Sequence, residues 1–211
     1  MVRGRGGVPL VGWGGDAALP YDCSAADCGG RCAGVGLVPQ LGWSSWNHFG
    51  PNINENLTLG IADAMASSGM AAVGYEYINL DDAWMDMHRL PNTSITWDPL
   101  KFPSGMPHVA ATLHSQRLKF GLYTARASTT CQRMAGSCNH EQVDAKQFAE
   151  WKLDYLKDDS CGRCRASNDT FDGNLADYRA MQSALDATGR KIVLSIEGGP
   201  NISAVSAGGA G

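Results

Sequence analysis

The heptapeptide YLKDDSC, residues 155–161, places a lysine, two adjacent aspartates, a serine and a cysteine at the end of an apolar, strand-like run. Burying a carboxylate costs several kcal/mol unless it is paired or used, so these aspartates need partners or a task. Strand side chains alternate between faces. Lys157 and Asp159 therefore share one side and Asp158 takes the other. An ammonium two positions away on the same face favours an ionised Asp159. A carboxylate kept anionic in a partly dry pocket can act as a nucleophile or stabilise a developing cation. That suits glycoside hydrolysis, whose transition state is oxocarbenium-like; the alternative is a Lys–Asp pair that closes a strand end and does no chemistry.

Other polar residues fall at similar places. Asp81 and Asp82 follow YEYINL and could grip sugar hydroxyls through charge-assisted hydrogen bonds. With Asp159 they could instead hold Mg²⁺ for phosphoryl transfer, although no Gly-rich phosphate loop accompanies them; Asp82 could also cap a helix. Trp43, Trp46 and Trp84 offer flat apolar faces for pyranose C–H groups, with Trp43, earlier in its strand, read as core. Tyr123 is a weaker case of the same kind. Glu197, followed by Gly198, Gly199 and Pro200, is a turn carboxylate or a hydroxyl acceptor. Cys131 and Cys161 follow the third and fourth strands, so the fold can bring them together. A bridge there would close a loop of about 30 residues and stabilise by roughly 3–4 kcal/mol in the chain-entropy model; in a reducing compartment they would be two thiols.

The elements that must position these residues alternate in type. Strands are expected at 41–46, 75–82, 119–125, 154–160 and 191–197, with helices at 53–74, near 105–117, at 141–151 and at 174–190. Five alternations without a hairpin signal argue for parallel βα units. The first strand-to-helix loop, WNHFGPNIN, lacks the Gly-x-Gly-x-x-Gly cradle of a dinucleotide-binding sheet. The polar residues gather at the C-terminal strand ends, which converge on one mouth in a (β/α)8 TIM barrel. About the first five βα units of such a barrel are expected here.

At 211 residues, 44% hydrophobic and 18% charged, the chain can bury one substantial core. A formal charge of −4 and the absence of a basic, aromatic-interleaved cluster exclude nucleic acid and anionic membrane as natural partners. No stretch reaches the roughly 18–20 apolar residues of a membrane span, and the N-terminus lacks the apolar run of a clear signal peptide. Residues 1–38 read as an irregular Gly- and Ala-rich leader, and 39–211 as the catalytic domain. Cys23, Cys28 and Cys32 lie in that leader, where a zinc site would need further ligands that do not follow. No metal and no cofactor are expected. Sequons at Asn56, Asn92, Asn168 and Asn201 suit a secreted chain but also arise by chance.

LGWSSWNHFG, YINLDDAWM, KFGLYTA, DAKQFAEWKLDYLKDDSC and GRKIVLSIE together resemble the α-galactosidases (melibiases) of glycoside hydrolase family 27, especially those of plant type, over about residues 36–200. The resemblance implies a (β/α)8 barrel followed by an antiparallel β-domain. It also implies a retaining mechanism that releases terminal α-linked D-galactose through a covalent galactosyl–aspartate. Galactose-containing oligosaccharides or glycoconjugates would be the partners, and a secreted, lysosomal or vacuolar location is typical. The family's Lys-aromatic-Asp-x-Cys motif puts its nucleophile on Asp159. Its sugar-binding residues fall on Trp46, Asp81, Asp82, Tyr123, Lys157 and Glu197, and its paired cysteines on Cys131 and Cys161.

Three departures stand out. Asp158 replaces an aromatic residue. Ile196 and Gly198 flank Glu197 where the family generally has Cys and Trp. Pro51 and Ala83 occupy the positions of a second family disulfide. The family's acid/base aspartate comes from a sixth strand, expected beyond Gly211, as is the β-domain. The rival readings are a truncated, non-catalytic sugar-binding fragment and an α-N-acetylgalactosaminidase, which generally carries a small residue at position 197.

Overall fold

The structure is a computed structural model and describes residues 36, 39–162, 164 and 171–197. Most of the leader, Cys23, Cys28, Cys32, Asn168 and Asn201 lie outside the described residues. Five strands, β1 (Gly42–Ser44), β2 (Tyr77–Asn79), β3 (Lys119–Ala125), β4 (Tyr155–Asp159) and β5 (Val193–Ile196), form one parallel sheet in the order β1-β2-β3-β4-β5. Spatial order equal to chain order means that every crossover runs in one direction. Right-handed crossovers then put the helices on a single face, which is barrel winding; a doubly wound sheet reverses its order at a switch point.

The helices are a single turn α1 (Trp46–Phe49), α2 (Glu55–Ser67), α3 (Met106–Ser115), α4 (Glu141–Glu150) and α5 (Phe171–Ala187), with a 3-10 turn at Ala71–Val73. The helix expected to run to residue 74 stops at Ser67, because Gly69 and Gly74 both take positive φ and open a turn that an α-helix cannot continue. Asn54 caps α2, its side chain accepting the Leu57 N–H at 2.9 Å.

Ile78, Leu80, Phe120, Leu122 and Leu156 point outward from the strands. With Ala62, Met65, Val109, Leu113, Phe148, Met181 and Leu185 they belong to the main buried core. The opposite, concave face carries Tyr77, Asn79, Gly121, Tyr123, Tyr155, Lys157 and Asp159. On β4 the outward Leu156 and Asp158 are buried, whereas Tyr155, Lys157 and Asp159 are half-buried. Gly121 is required at its position: a Cβ there would lie 2.0 Å from Asn79 Oδ1 and 2.9 Å from Tyr155 Cδ1.

Partly buried ion pairs fasten the loops to this frame. Arg89 grips Asp144 on α4 with two 2.7 Å bonds and also donates to the Thr93 and Gly136 carbonyls. At the N-terminal end of β4, Asp154 binds His114 Nε2 and Arg190 Nη2, each at 2.7 Å, and accepts the Phe120 N–H at 2.9 Å.

Candidate active site

The rim is built from the segments that leave the strand ends. Ser45, directly after β1, donates its backbone N–H to Asn79 O at 3.1 Å and accepts the Asp81 N–H on its hydroxyl at 2.9 Å. Asp81 Oδ1 accepts the Asp82 N–H at 2.8 Å, which leaves Oδ2 for Lys157 Nζ at 2.9 Å. The same ammonium meets Glu197 Oε2 at 2.7 Å and stands 5.1 Å from the centre of the Tyr123 ring. Lys157 thus ties the ends of β2, β4 and β5 together. Burial pulls its pKa down, but the hydrogen bonds and charges of Glu197 and Asp81 outweigh that and push it up to about 12.

Asp159 lies on the same face, half-buried. Tyr123 Oη donates to its Oδ2 at 2.8 Å and Ser160 N to its Oδ1 at 2.6 Å. Cys161 Sγ lies 3.1 Å from the tyrosine oxygen and 3.3 Å from Oδ2. That sulfur is bonded to Cys131, so it carries no proton and acts as a wall. Burial and the nearby Asp82, Asp159 and Asp81 charges push the Tyr123 phenol up, so it remains a donor. Two aligned donors hold the carboxylate in one orientation while its half-buried edge stays accessible.

Several expectations need correction. The carboxylates of Lys157's ion pairs are Asp81 and Glu197; Asp159 is held by a phenol and a backbone N–H instead. Trp84 is fully buried, stacked edge-on to Trp151 at 5.8 Å, with its Nε1 donating to Tyr123 O at 2.8 Å. It presents no face to a sugar; its task is to fix the strand that carries Tyr123. Tyr123 is buried too and reaches the site through its hydroxyl, not its ring face. Trp46 opens α1 one residue past Ser45 instead of ending β1, and stays half-buried on the rim.

Asp82 caps no helix. It accepts Ala83 N at 2.7 Å and Gln132 N at 2.8 Å, and so pins the loop after β3. Burial pushes its carboxyl up, against the pull of hydrogen bonds from Gln132, Thr130 and Ala83. Ala83, at φ 73°, occupies the left-handed region that disfavours a side chain. Lys101 Nζ donates to Ala83 O at 2.8 Å and to Pro51 O at 3.1 Å. An ammonium therefore bridges the two positions at which the family resemblance placed a disulfide.

The cysteines pair as Cys131–Cys161 and as Cys138–Cys164. Sequence reasoning missed the second bridge, although both members flank the same two loops as the first pair. Among the described residues, Cys131, Asp159 and Cys161 are the one group of side chains close enough to hold a metal. With both sulfurs in a disulfide, that set lacks thiolate ligands. Asp81 and Asp82 do not gather with Asp159 into a Mg²⁺ site. An open cleft between α4 and α5, lined by His140, Lys146, Asp154 and Arg190 among others, touches β4 only near its N-terminal end and holds none of the rim residues.

One-way parallel winding with polar side chains gathered at the strand ends is the arrangement of a barrel-type α/β fold. Sequence comparison places the chain within it. Residues 38–204 match the melibiase family described as Alpha galactosidase A, and the chain belongs to that family. An α-galactosidase of Cyamopsis tetragonoloba is 44% identical over 164 residues, 77% of this chain and 38% of that protein. α-Galactosidase I of Mortierella vinacea superposes with a TM-score of 0.75 at 36% identity, covering 80% of this chain and 43% of the other. The α-galactosidase of Saccharomyces cerevisiae, solved with raffinose, gives 0.74 at 39% identity, covering 77% and 36%. The chain spans about 40% of the length of the curated relatives it matches. Among the described residues no helix is long and apolar enough to cross a membrane.

Proposed function

We propose that this chain carries the nucleophile of a retaining α-galactosidase site. Asp159 attacks the anomeric carbon of a terminal α-galactoside, the bond to the leaving oxygen breaks with its electron pair, and water later hydrolyses the galactosyl ester. The observation that carries this reading is the double restraint on Asp159, through Tyr123 Oη on one oxygen and Ser160 N on the other, beside the Lys157–Asp81–Glu197 cluster. A carboxylate so oriented loses little entropy on reaching a near-attack geometry. Lys157, Asp81 and Glu197 then serve as donor and acceptors for galactose hydroxyls, and Asp82 and Trp46 shape the rim. Glu197 at this place favours a free 2-hydroxyl over an acetamido group. Two disulfides suit an oxidising compartment, in keeping with a secreted, lysosomal or vacuolar protein.

Retaining hydrolysis also needs a second carboxyl about 5–5.5 Å from the first to protonate the leaving oxygen. The test therefore uses an activated α-galactoside, ring-fluorinated to slow ester hydrolysis, whose leaving group departs without a proton. The expected result is a galactosyl ester on the peptide containing Asp159, detected by mass spectrometry and absent in Asp159→Asn. Labelling elsewhere, or labelling that survives the substitution, would refute the assignment. Unchanged labelling after treatment with a chelator separates the reading from metal-dependent chemistry.

A further inference from the structure

Directly behind the proposed nucleophile lies a group that the hydrolytic reading does not use. Asp158 faces outward from β4, is 0% exposed, and has no hydrogen-bond partner for either carboxylate oxygen among the described residues. The charged and titratable groups that face it come from every side: Arg126 after β3, Glu141 at the start of α4, Asp159 on its own strand, and Asp177 and Tyr178 on α5. The guanidinium of Arg126 is already committed, pairing with Asp177 at 3.2 Å with both side chains 3% exposed and lying 5.8 Å from the Tyr178 ring centre. Asp158 and Asp177, both buried, thus face one guanidinium, with the charges of Glu141 and Asp159 nearby. An ionised, unbonded carboxylate in such a place is among the most costly groups a fold can hold, and proteins relieve it by protonation.

We propose that Asp158 carries its proton in the folded protein and that its ionisation is a pH switch that loosens α5 from the outer face of β4. The proposal is independent of the hydrolytic reading. Burial pushes this carboxyl well above the ordinary aspartate range; Arg126 draws it back, and Glu141, Asp159 and Asp177 push it further up. On α5, Asn174, Asp177, Tyr178 and Met181 form one buried stripe at helical i, i+3, i+4, i+7 spacing, and Asn174 Oδ1 is a buried acceptor without a partner among the described residues. The cluster reaches the rim through the backbone, since Arg126 N donates to Asp159 O at 2.9 Å and Glu197 N to Asp158 O at 3.0 Å. A carboxylate that competes with Asp177 for Arg126 therefore pulls on the segment that holds Asp159.

The sign follows from linkage. In the unfolded chain an aspartate titrates near 4, and below that pH both states hold the proton. As pH rises from there toward the raised folded value, the folded state keeps a proton the unfolded state has released. Each pH unit in that window then costs about a factor of ten in the folding equilibrium. The contribution is full at acid pH and lost as pH rises.

The test is urea unfolding of the full chain between about pH 4 and pH 8, for the wild type, Asp158→Asn and Asp158→Phe, with infrared spectra of the carboxyl region. The expected result is that the variants remove about one proton's worth of the wild type's pH slope and gain at least about tenfold in folding equilibrium at the upper end. The wild type should also show, near neutral pH, the carbonyl stretch of a protonated carboxyl that Asp158→Asn lacks. Parallel pH curves would overturn the proposal, and so would a wild-type spectrum without that band, a result that needs neither variant to fold. So would a slope abolished by added Ca²⁺ in the wild type alone, which would mean that a cation holds the charge instead of a proton.

Discussion

The two disulfides provide a test in which stability and chemistry separate. Cys131–Cys161 spans 30 residues and Cys138–Cys164 spans 26. In the chain-entropy model each bridge constrains the unfolded state by about 3.5 kcal/mol, and the difference in loop length amounts to only about 0.1 kcal/mol. Replacing either pair with alanine should therefore lower the urea midpoint by nearly the same amount, about 1.5–2 M for a slope near 2 kcal/mol/M. Their surroundings differ. Cys161 Sγ is in contact with both Tyr123 Oη and Asp159 Oδ2, whereas Cys138–Cys164 closes the same two loops farther along the chain from that carboxylate.

Removing the first bridge opens space beside the proposed nucleophile and frees the loop that begins at Ser160. Misplacement of a reacting group by about 1 Å costs on the order of a hundredfold in rate. The covalent labelling of Asp159 should thus slow about ten- to hundredfold in Cys131→Ala/Cys161→Ala and stay within about twofold in Cys138→Ala/Cys164→Ala. Mass spectrometry of the labelled peptide over time, under conditions where both variants remain folded, gives the rates. Equal slowing in both would refute the role assigned to the sulfur. A midpoint shift in one pair smaller than a third of that in the other would refute the entropic account of their stability.

Two further outcomes follow from the loops. Lys101→Met removes the donor that joins the Pro51 and Ala83 carbonyls, at an expected cost of about 1–3 kcal/mol; hydrogen exchange should accelerate at both loops, and unchanged exchange would show that the clamp holds nothing. Arg89→Ala strands the fully buried Asp144 carboxylate at a cost of about 3–5 kcal/mol, whereas exchanging both partners for apolar residues should recover much of that loss in a urea-unfolding double-mutant cycle.

What the sequence made legible, and what it hid, divides along the range of the interactions. The period-2 alternation in YLKDDS needs nothing but the local backbone, and it separated Lys157 and Asp159 from Asp158. β3 was equally plain, because KFGLYTA centres on the apolar stretch FGLY and is buried along nearly its whole length. Partner choice lies at longer range. Nothing within five residues of Lys157 indicates that its ammonium reaches Asp81, 76 positions away, or that Trp84 turns from the rim into the core to bond the Tyr123 carbonyl. The cysteines show the same limit, since spacing alone leaves many connectivities open and the second pairing emerges only once β3 and β4 lie side by side. Asp158 belongs to both ranges: local alternation says that it points outward, but only the packed α5, with Asp177 and Tyr178 against the strand, makes that outward side dry. A position that alternation merely turns outward becomes a buried acid by packing, which ties the proposed proton at 158 to stability against pH and not to the proposed sugar pocket one residue away.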